Sequence, residues 1–110
     1  MSRRLARALS DEKECVRQYG AAQAAKVRLR VAALQAADSL ADFWPPNSGP
    51  ERCHELQGDL KGVFSMDLKQ PHRLLFRPVG WDESVEYEEP RERWKAIKSI
   101  EITEIKDTHG

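Results

Sequence analysis

The stretch RCHELQGDLKGVFSMDLKQPHRLLFRP, Arg52 to Pro78, turns the pattern of the chain from helical to strand-like. Within it VFSMDL alternates, with Phe64, Met66 and Leu68 on one side and Val63, Ser65 and Asp67 on the other. A period of two is the mark of a half-buried strand. HRLLFR repeats the pattern, with Leu74 and Phe76 opposed to Arg73, Leu75 and Arg77. KQP supplies the turn between them, and QGDLKG an earlier one through Gly58 and Gly62. Arg52–Leu56 reads as a short extended segment before that turn. The stretch predicts consecutive hairpins of an antiparallel sheet.

Upstream the spacing is helical. Leu5, Leu9, Val16 and Tyr19 predict a helix over residues 3–19, although Ser10 and Asp11 followed by Glu14 offer a fresh helix start near position 10. Gly20 is a stop. AAQAAKVRLRVAALQAADSL, rich in alanine and free of glycine and proline, puts Ala24, Val27, Val31 and Leu34 on one stripe. The single glycine between these segments predicts a helical hairpin. FWPPNSGP, with Pro45, Pro46, Gly49 and Pro50, then forbids further helix.

Downstream, Pro78 opens a polar excursion to about residue 94, holding Gly80, Pro90 and an acidic cluster. KAIKSIEITEIKDTH is β-branched and alternating. Ile100 and Ile102 share a parity that Ile105 breaks, so either a β-bulge lies near Thr103–Glu104 or Ile105 faces the second side of the sheet. The expected architecture is an α+β domain over residues 1–110, a two-helix hairpin (about 3–42) packed on a twisted antiparallel sheet of about four strands (about 52–107) with an acidic loop at about 78–94.

With 110 residues the chain is long enough for one core and not for two. No apolar run approaches the ~20 residues of a membrane span, and MSRRLARALSDE lacks the apolar centre of a signal peptide. The expected location is the cytoplasm, with no membrane partner. Cys15 and Cys53 have no framework spacing and read as buried thiols. The chain carries 18 bases and 18 acids, but the charges are uneven. Asp82, Glu83, Glu86, Glu88, Glu89 and Glu92 surround one base, Arg91; the other 99 residues hold 17 bases against 12 acids. A basic body with an acidic segment remains suited to phosphate.

Chemistry-bearing side chains gather on or beside the expected strands: His54, Lys61, Arg73, Arg77, Asp107 and His109. A compact sheet brings them toward one groove. Metal-free RNA cleavage needs a base for the 2′-hydroxyl, an acid for the leaving oxygen and fixed positive charge at the phosphate. Histidine serves either proton role near neutrality, and arginine presents a fork of donors to phosphate oxygens. Arg73, between apolar residues, is expected to pair with a carboxylate or an anion. His72, beside a proline turn, reads as a surface residue. There is no Gly-rich phosphate loop, zinc-spaced Cys/His cluster or nucleophile elbow, so no cofactor or metal is expected.

The run from Arg52 to Pro78, followed by IEITEIKDTH, resembles the killer proteins of the RelE/ParE superfamily, specifically the HigB-like plasmid-maintenance branch. The resemblance covers the whole chain, and its most specific part is HEL-x-G-D, then R-L-x-F, then a terminal D-x-H. It implies two helices on a twisted antiparallel sheet. It further implies an mRNA endoribonuclease acting on translated mRNA at the ribosome, and a helix-turn-helix antitoxin partner, with a homodimer or a toxin–antitoxin hetero-oligomer as assembly. His54 matches the branch's catalytic histidine, Asp107 and His109 the aspartate and histidine that end its motif, Arg73 its phosphate-binding arginine, and Lys61 the basic residues before its second strand. Arg77, on the same sheet face as Arg73, is expected to contact RNA as well. Thr108 stands where the branch has tyrosine, and Phe64 where many members have tryptophan or tyrosine. Members also begin with a strand that this chain is expected to lack. The alternatives under the same resemblance are a topoisomerase poison and a non-catalytic antitoxin-binding module.

Overall fold

Gly20, at φ 87° and ψ 160°, stands in a backbone region that only glycine enters without strain. It caps helix α1 (Glu12–Tyr19) by donating its N–H to the Val16 carbonyl, and helix α2 (Ala21–Ala36) starts at the next residue. The result is the expected helical hairpin. The first helix begins at the Asp11 cap, whose carboxylate accepts from the Lys13 and Glu14 amides at 3.0 and 3.3 Å, so of the two readings of this region the start near position 10 is the one observed. The computed structural model describes residues 1–5, 11–82 and 84–107, with Glu12 described by its backbone alone.

The remaining elements are β1 (Ser2–Leu5), β2 (His54–Glu55), β3 (Phe64–Asp67), β4 (His72–Pro78), helix α3 (Pro90–Ala96) and β5 (Ser99–Asp107), with 3₁₀ turns at Leu40–Phe43 and Gly58–Leu60. The described strands form one sheet in the order β1-β5-β4-β3-β2. The architecture is the expected α+β, with one more strand and one parallel pair. Residues 2–5, expected in the first helix, lie parallel to β5 with Leu5 opposite Ile102. A four-residue strand carries too little local pattern to announce itself, and pairing with a distant strand decides its state. The helical region also ends sooner than residue 42, at Ala36, where Ala37 turns extended.

The register places Phe64, Met66, Leu74, Phe76, Ile102 and Ile105 on one face, and all are buried. Between Phe76↔Ile102 and Leu75↔Glu104 one extra residue, Thr103, interrupts the ladder, so the bulge restores Ile105 to the core face. Ala24, Val27 and Leu34 of α2 complete the core, with Val31 half-buried beside them. Two polar side chains of α2 are also buried and act as hooks. Gln23 accepts from the Lys69 amide at 2.8 Å and donates to its carbonyl at 3.0 Å, copying a strand's pairing pattern. Arg30 donates to the carbonyls of Asp67 (2.7 Å) and Pro50 (3.1 Å). Both fasten the helix to the β3 region where buried backbone groups would lack partners.

The stretch expected as an acidic loop to residue 94 contains helix α3 instead. Pro90 at its first turn is preset for helix and spares an amide that has no partner there. Trp94 buries its ring edge-on against Phe64 (5.5 Å) and Trp44 (5.1 Å), while Phe64 stacks on Phe76 at 5.8 Å. Cys15 and Cys53 are buried thiols. No helix of the described residues is long and apolar enough to cross a membrane.

Candidate active site

His54 lies on β2 opposite Ser65, Ser65 lies opposite Leu75, and Leu75 opposite Glu104. Paired residues share a face, and this row belongs to the face away from the helices. One pair along, Asp67 lies opposite Arg73, which lies opposite Lys106. One pair the other way, Arg77 lies opposite Glu101. The open face thus presents His54 with Arg73 and Arg77 bracketing its row. At ~4.8 Å between strands and ~3.4 Å per residue, His54 and Arg73 are ~12 Å apart at Cα, with the buried Ser65 and Leu75 between their strands.

The charges on this face are held in fixed relation. Asp67, on β3 between β4 and the edge strand β2, takes Arg52 Nε at 3.3 Å on one carboxylate oxygen and Arg73 at 3.4 Å on the other. Arg73 therefore has the carboxylate partner expected of an arginine inside an apolar strand. Arg77 makes a forked contact to Glu101 at 3.0 and 3.2 Å. Beneath them Ser65 is fully buried, and its hydroxyl has no hydrogen-bond partner among the described residues.

Nδ1 of His54 sits 3.1 Å from the Arg52 carbonyl. A carbonyl only accepts, so Nδ1 carries the proton and the neutral ring leaves Nε2 as its open, basic nitrogen. Arg52 adopts φ 47°, a strained value that brings its carbonyl back onto the ring while its own guanidinium reaches Asp67. A single residue thereby orients the histidine and supplies positive charge.

Other residues singled out in the sequence lie elsewhere. Asp107 is opposite His72, on the helix side of the sheet, where His72 packs edge-on against Tyr19 at 6.4 Å. It is three strands from His54 and three residues along from the His54 row, ~18 Å away at the same spacings, and the odd step along the strand puts it on the other face. Lys61 follows the second 3₁₀ turn and lines a hollow of about 420 Å³ with Glu55, Gly62, Trp81, Val85 and Arg93. His109 and Thr108 lie outside the described residues.

Glu55, next to His54, accepts from Arg93 of α3 at 2.6 Å and from the Gly62 amide at 3.0 Å. Arg93 also stands over the Trp81 ring at 5.0 Å. The sequence reading passed over Glu55 and Arg93, and the signal for Arg93 was the helix start at Pro90. Arg52 and Asp67 were passed over because charged residues in short strands read as solvated.

No protein-family model matches the chain, and no curated protein matches it in sequence. Solved structures do match. A YoeB/ParE toxin from Agrobacterium tumefaciens superimposes with TM-score 0.57 at 16% identity, over 99% of this chain and 100% of that one. The YoeB–YefM complex from Staphylococcus aureus gives 0.56 at 14%, over 99% and 98%. The YoeB dimer from the same organism gives 0.55 at 16%, over 99% and 98%. The chain has the RelE/ParE-like toxin fold. The similarity is to toxins described as YoeB and ParE, and nothing in it singles out the HigB-like branch.

Proposed function

We propose that this chain is the toxin of a toxin–antitoxin pair, a single domain of the HigB-like kind working in the cytoplasm as a metal-independent endoribonuclease on translated mRNA. One observation carries the reading: His54, its Nδ1 committed to the Arg52 carbonyl, shares the open sheet face with Arg73 and Arg52. Nε2 takes the proton of a 2′-hydroxyl, the 2′-oxygen attacks phosphorus, and the bond to the 5′-oxygen breaks. The leaving oxygen takes a proton from a second acid, a role we assign to His109. The products are a 2′,3′-cyclic phosphate and a 5′-hydroxyl. Arg73 neutralises the charge that builds on the phosphate oxygens, with Arg77 and Lys61 binding the flanking strand. Asp107 we assign to the terminal segment with His109 and not to the His54 proton transfer.

The YoeB–YefM complex and the YoeB dimer support a protein partner, in our reading a helix-turn-helix antitoxin, and self-association. A topoisomerase poison or a non-catalytic module is the second reading. The carboxylates favour it, because Asp67 already engages Arg52 and Arg73, and Glu101 engages Arg77. Induced expression separates them. Wild type is expected to arrest growth with cleaved mRNA bearing cyclic phosphate ends and normal supercoiling, and His54→Ala to abolish both arrest and cleavage. A fully toxic His54→Ala chain overturns the assignment.

A further inference from the structure

Beyond the open face, the edge of β2 opens onto a second hollow of about 440 Å³, lined by His54, Glu55, Gln57, Trp44, Asn47 and Trp94 among others. Its volume lies within the ~300–1,000 Å³ of small-ligand sites. Its aromatic wall is fixed in place. Trp44 meets Trp94 edge-on at 5.1 Å and 89°, and Trp94 meets Phe64 edge-on at 5.5 Å and 78°. Phe64 is fully buried, so the indole platform is anchored to the core.

The full charges lining the hollow cancel. Glu55 and Arg93 both reach it, and they are bound to each other at 2.6 Å. A phosphate has nothing to neutralise it there. A neutral planar group has an indole to stack on. Asn47 and Gln57 are both exposed, and neither amide makes a hydrogen bond among the described residues. Each offers a donor pair and an acceptor, the complement of a base edge. A peptide adding as a strand is disfavoured because β2 is two residues long.

His54 belongs to both surfaces. On one side stands the Arg52–Asp67–Arg73 line, on the other the neutral aromatic hollow. A charged surface and a neutral, aromatic, amide-bearing hollow meeting at one proton-transfer group repeat the layout of a nucleotide: phosphate, then base.

We propose that this hollow is a nucleobase subsite. It takes a base of single-stranded RNA beside the phosphate on the open face, stacked against Trp44 and read by Asn47 and Gln57. The proposal rests on the RNA-directed reading of the face but not on cleavage. Recognition of unstacked bases by aromatic faces and polar edges is the general mode for single strands.

The test uses the full chain and short RNAs made uncleavable by one 2′-deoxy nucleotide 5′ of the scissile bond. The probes differ only at the nucleotides flanking that bond, carrying each of the four bases or none. Affinity is read by anisotropy of a terminal dye. Wild type is expected to bind at least one base-bearing probe about tenfold more tightly than the abasic one. Trp44→Leu brings that probe to the abasic level. Gln57→Ala and Asn47→Gly, at exposed positions with Gly suited to the φ of 63° at Asn47, erase discrimination among bases. Equal affinity for base-bearing and abasic probes, no binding at all, or an unchanged base order in both amide variants overturns the subsite. If Trp44→Leu does not fold, the two amide variants decide alone. A protein that discriminates bases yet never cuts RNA keeps the subsite and loses the enzyme. One that cuts without discriminating does the reverse.

Discussion

Arg93 of α3 and Glu55 of β2 are joined at 2.6 Å across 38 residues of sequence, and their ion pair is the partition between the two hollows at the β2 edge. The guanidinium also lies 5.8 Å from the centre of the Phe64 ring and 5.0 Å from that of Trp81. One side chain thus binds the strand, the loop after β4 and the core together.

Breaking this pair leaves a charge in a setting that is mostly enclosed, the side chains being 31% and 18% exposed. Partial solvation trims the ~3–5 kcal/mol of a buried pair, so Glu55→Gln and Arg93→Ala are each expected to cost ~1–2 kcal/mol in urea unfolding. The double variant should cost less than the two singles together. Strict additivity rules out the partition as an anchor.

Gln23 fills the pairing positions of Lys69 as a strand would, with both its amide atoms used. Gln23→Ala strands a backbone donor and acceptor at the edge of the core and is expected to cost ~1–3 kcal/mol, with the denaturant slope unchanged. A loss under ~0.5 kcal/mol shows that the helix is held by apolar packing alone.

Asp67 splits one negative charge between Arg52 and Arg73. Asp67→Asn frees positive charge on the open face. If that face binds RNA, affinity for a single-stranded oligomer rises, and the slope of log affinity against log salt steepens by ~0.7 for one further phosphate contact. Unchanged affinity and slope mean that the backbone of the RNA lies elsewhere.

Burial pushes the Cys53 thiol well above its ordinary 9.0, with the Glu51 carboxylate adding to the shift. The folded state therefore keeps a proton that the unfolded chain gives up above that value. The associated stability is present in full below pH 9 and is lost as pH rises beyond it, at up to ~1.4 kcal/mol per pH unit. Cys53→Ala is expected to flatten this alkaline limb, and in native wild type the Cys53 thiol should resist alkylation at pH 8. Rapid native labelling of Cys53 contradicts the burial.

Much of the fold was legible because its long elements repeat a local pattern. Phe64, Met66, Leu74 and Phe76 alternate and share the core face, although Ser65 and Leu75 on the other face are buried as well. Asp11 and Gly20 end α1 where their chemistry requires. Residues 2–5 were misread because their pairing partner lies nearly a hundred residues away, and α3 because seven residues behind an acidic stretch are too few to show a period. At the candidate site, His54, Arg73 and Arg77 were visible as unusual residues on strands of known parity. That Asp107 falls on the other face depends on the Thr103 bulge and the pairing of β5 with β4.

The sequence by itself determined a helical hairpin, a run of hairpin-linked strands and a set of basic and imidazole side chains along them, since capping and periodicity act over a few neighbouring residues. Only the tertiary structure decided which of these meet. Register assigned His54, Arg73 and Arg77 to the open face and Asp107 to the other. Packing of α3 against β2 joined Arg93 to Glu55 and walled off the hollow beside His54. Such meetings rest on contacts between residues distant in sequence, which no local pattern encodes.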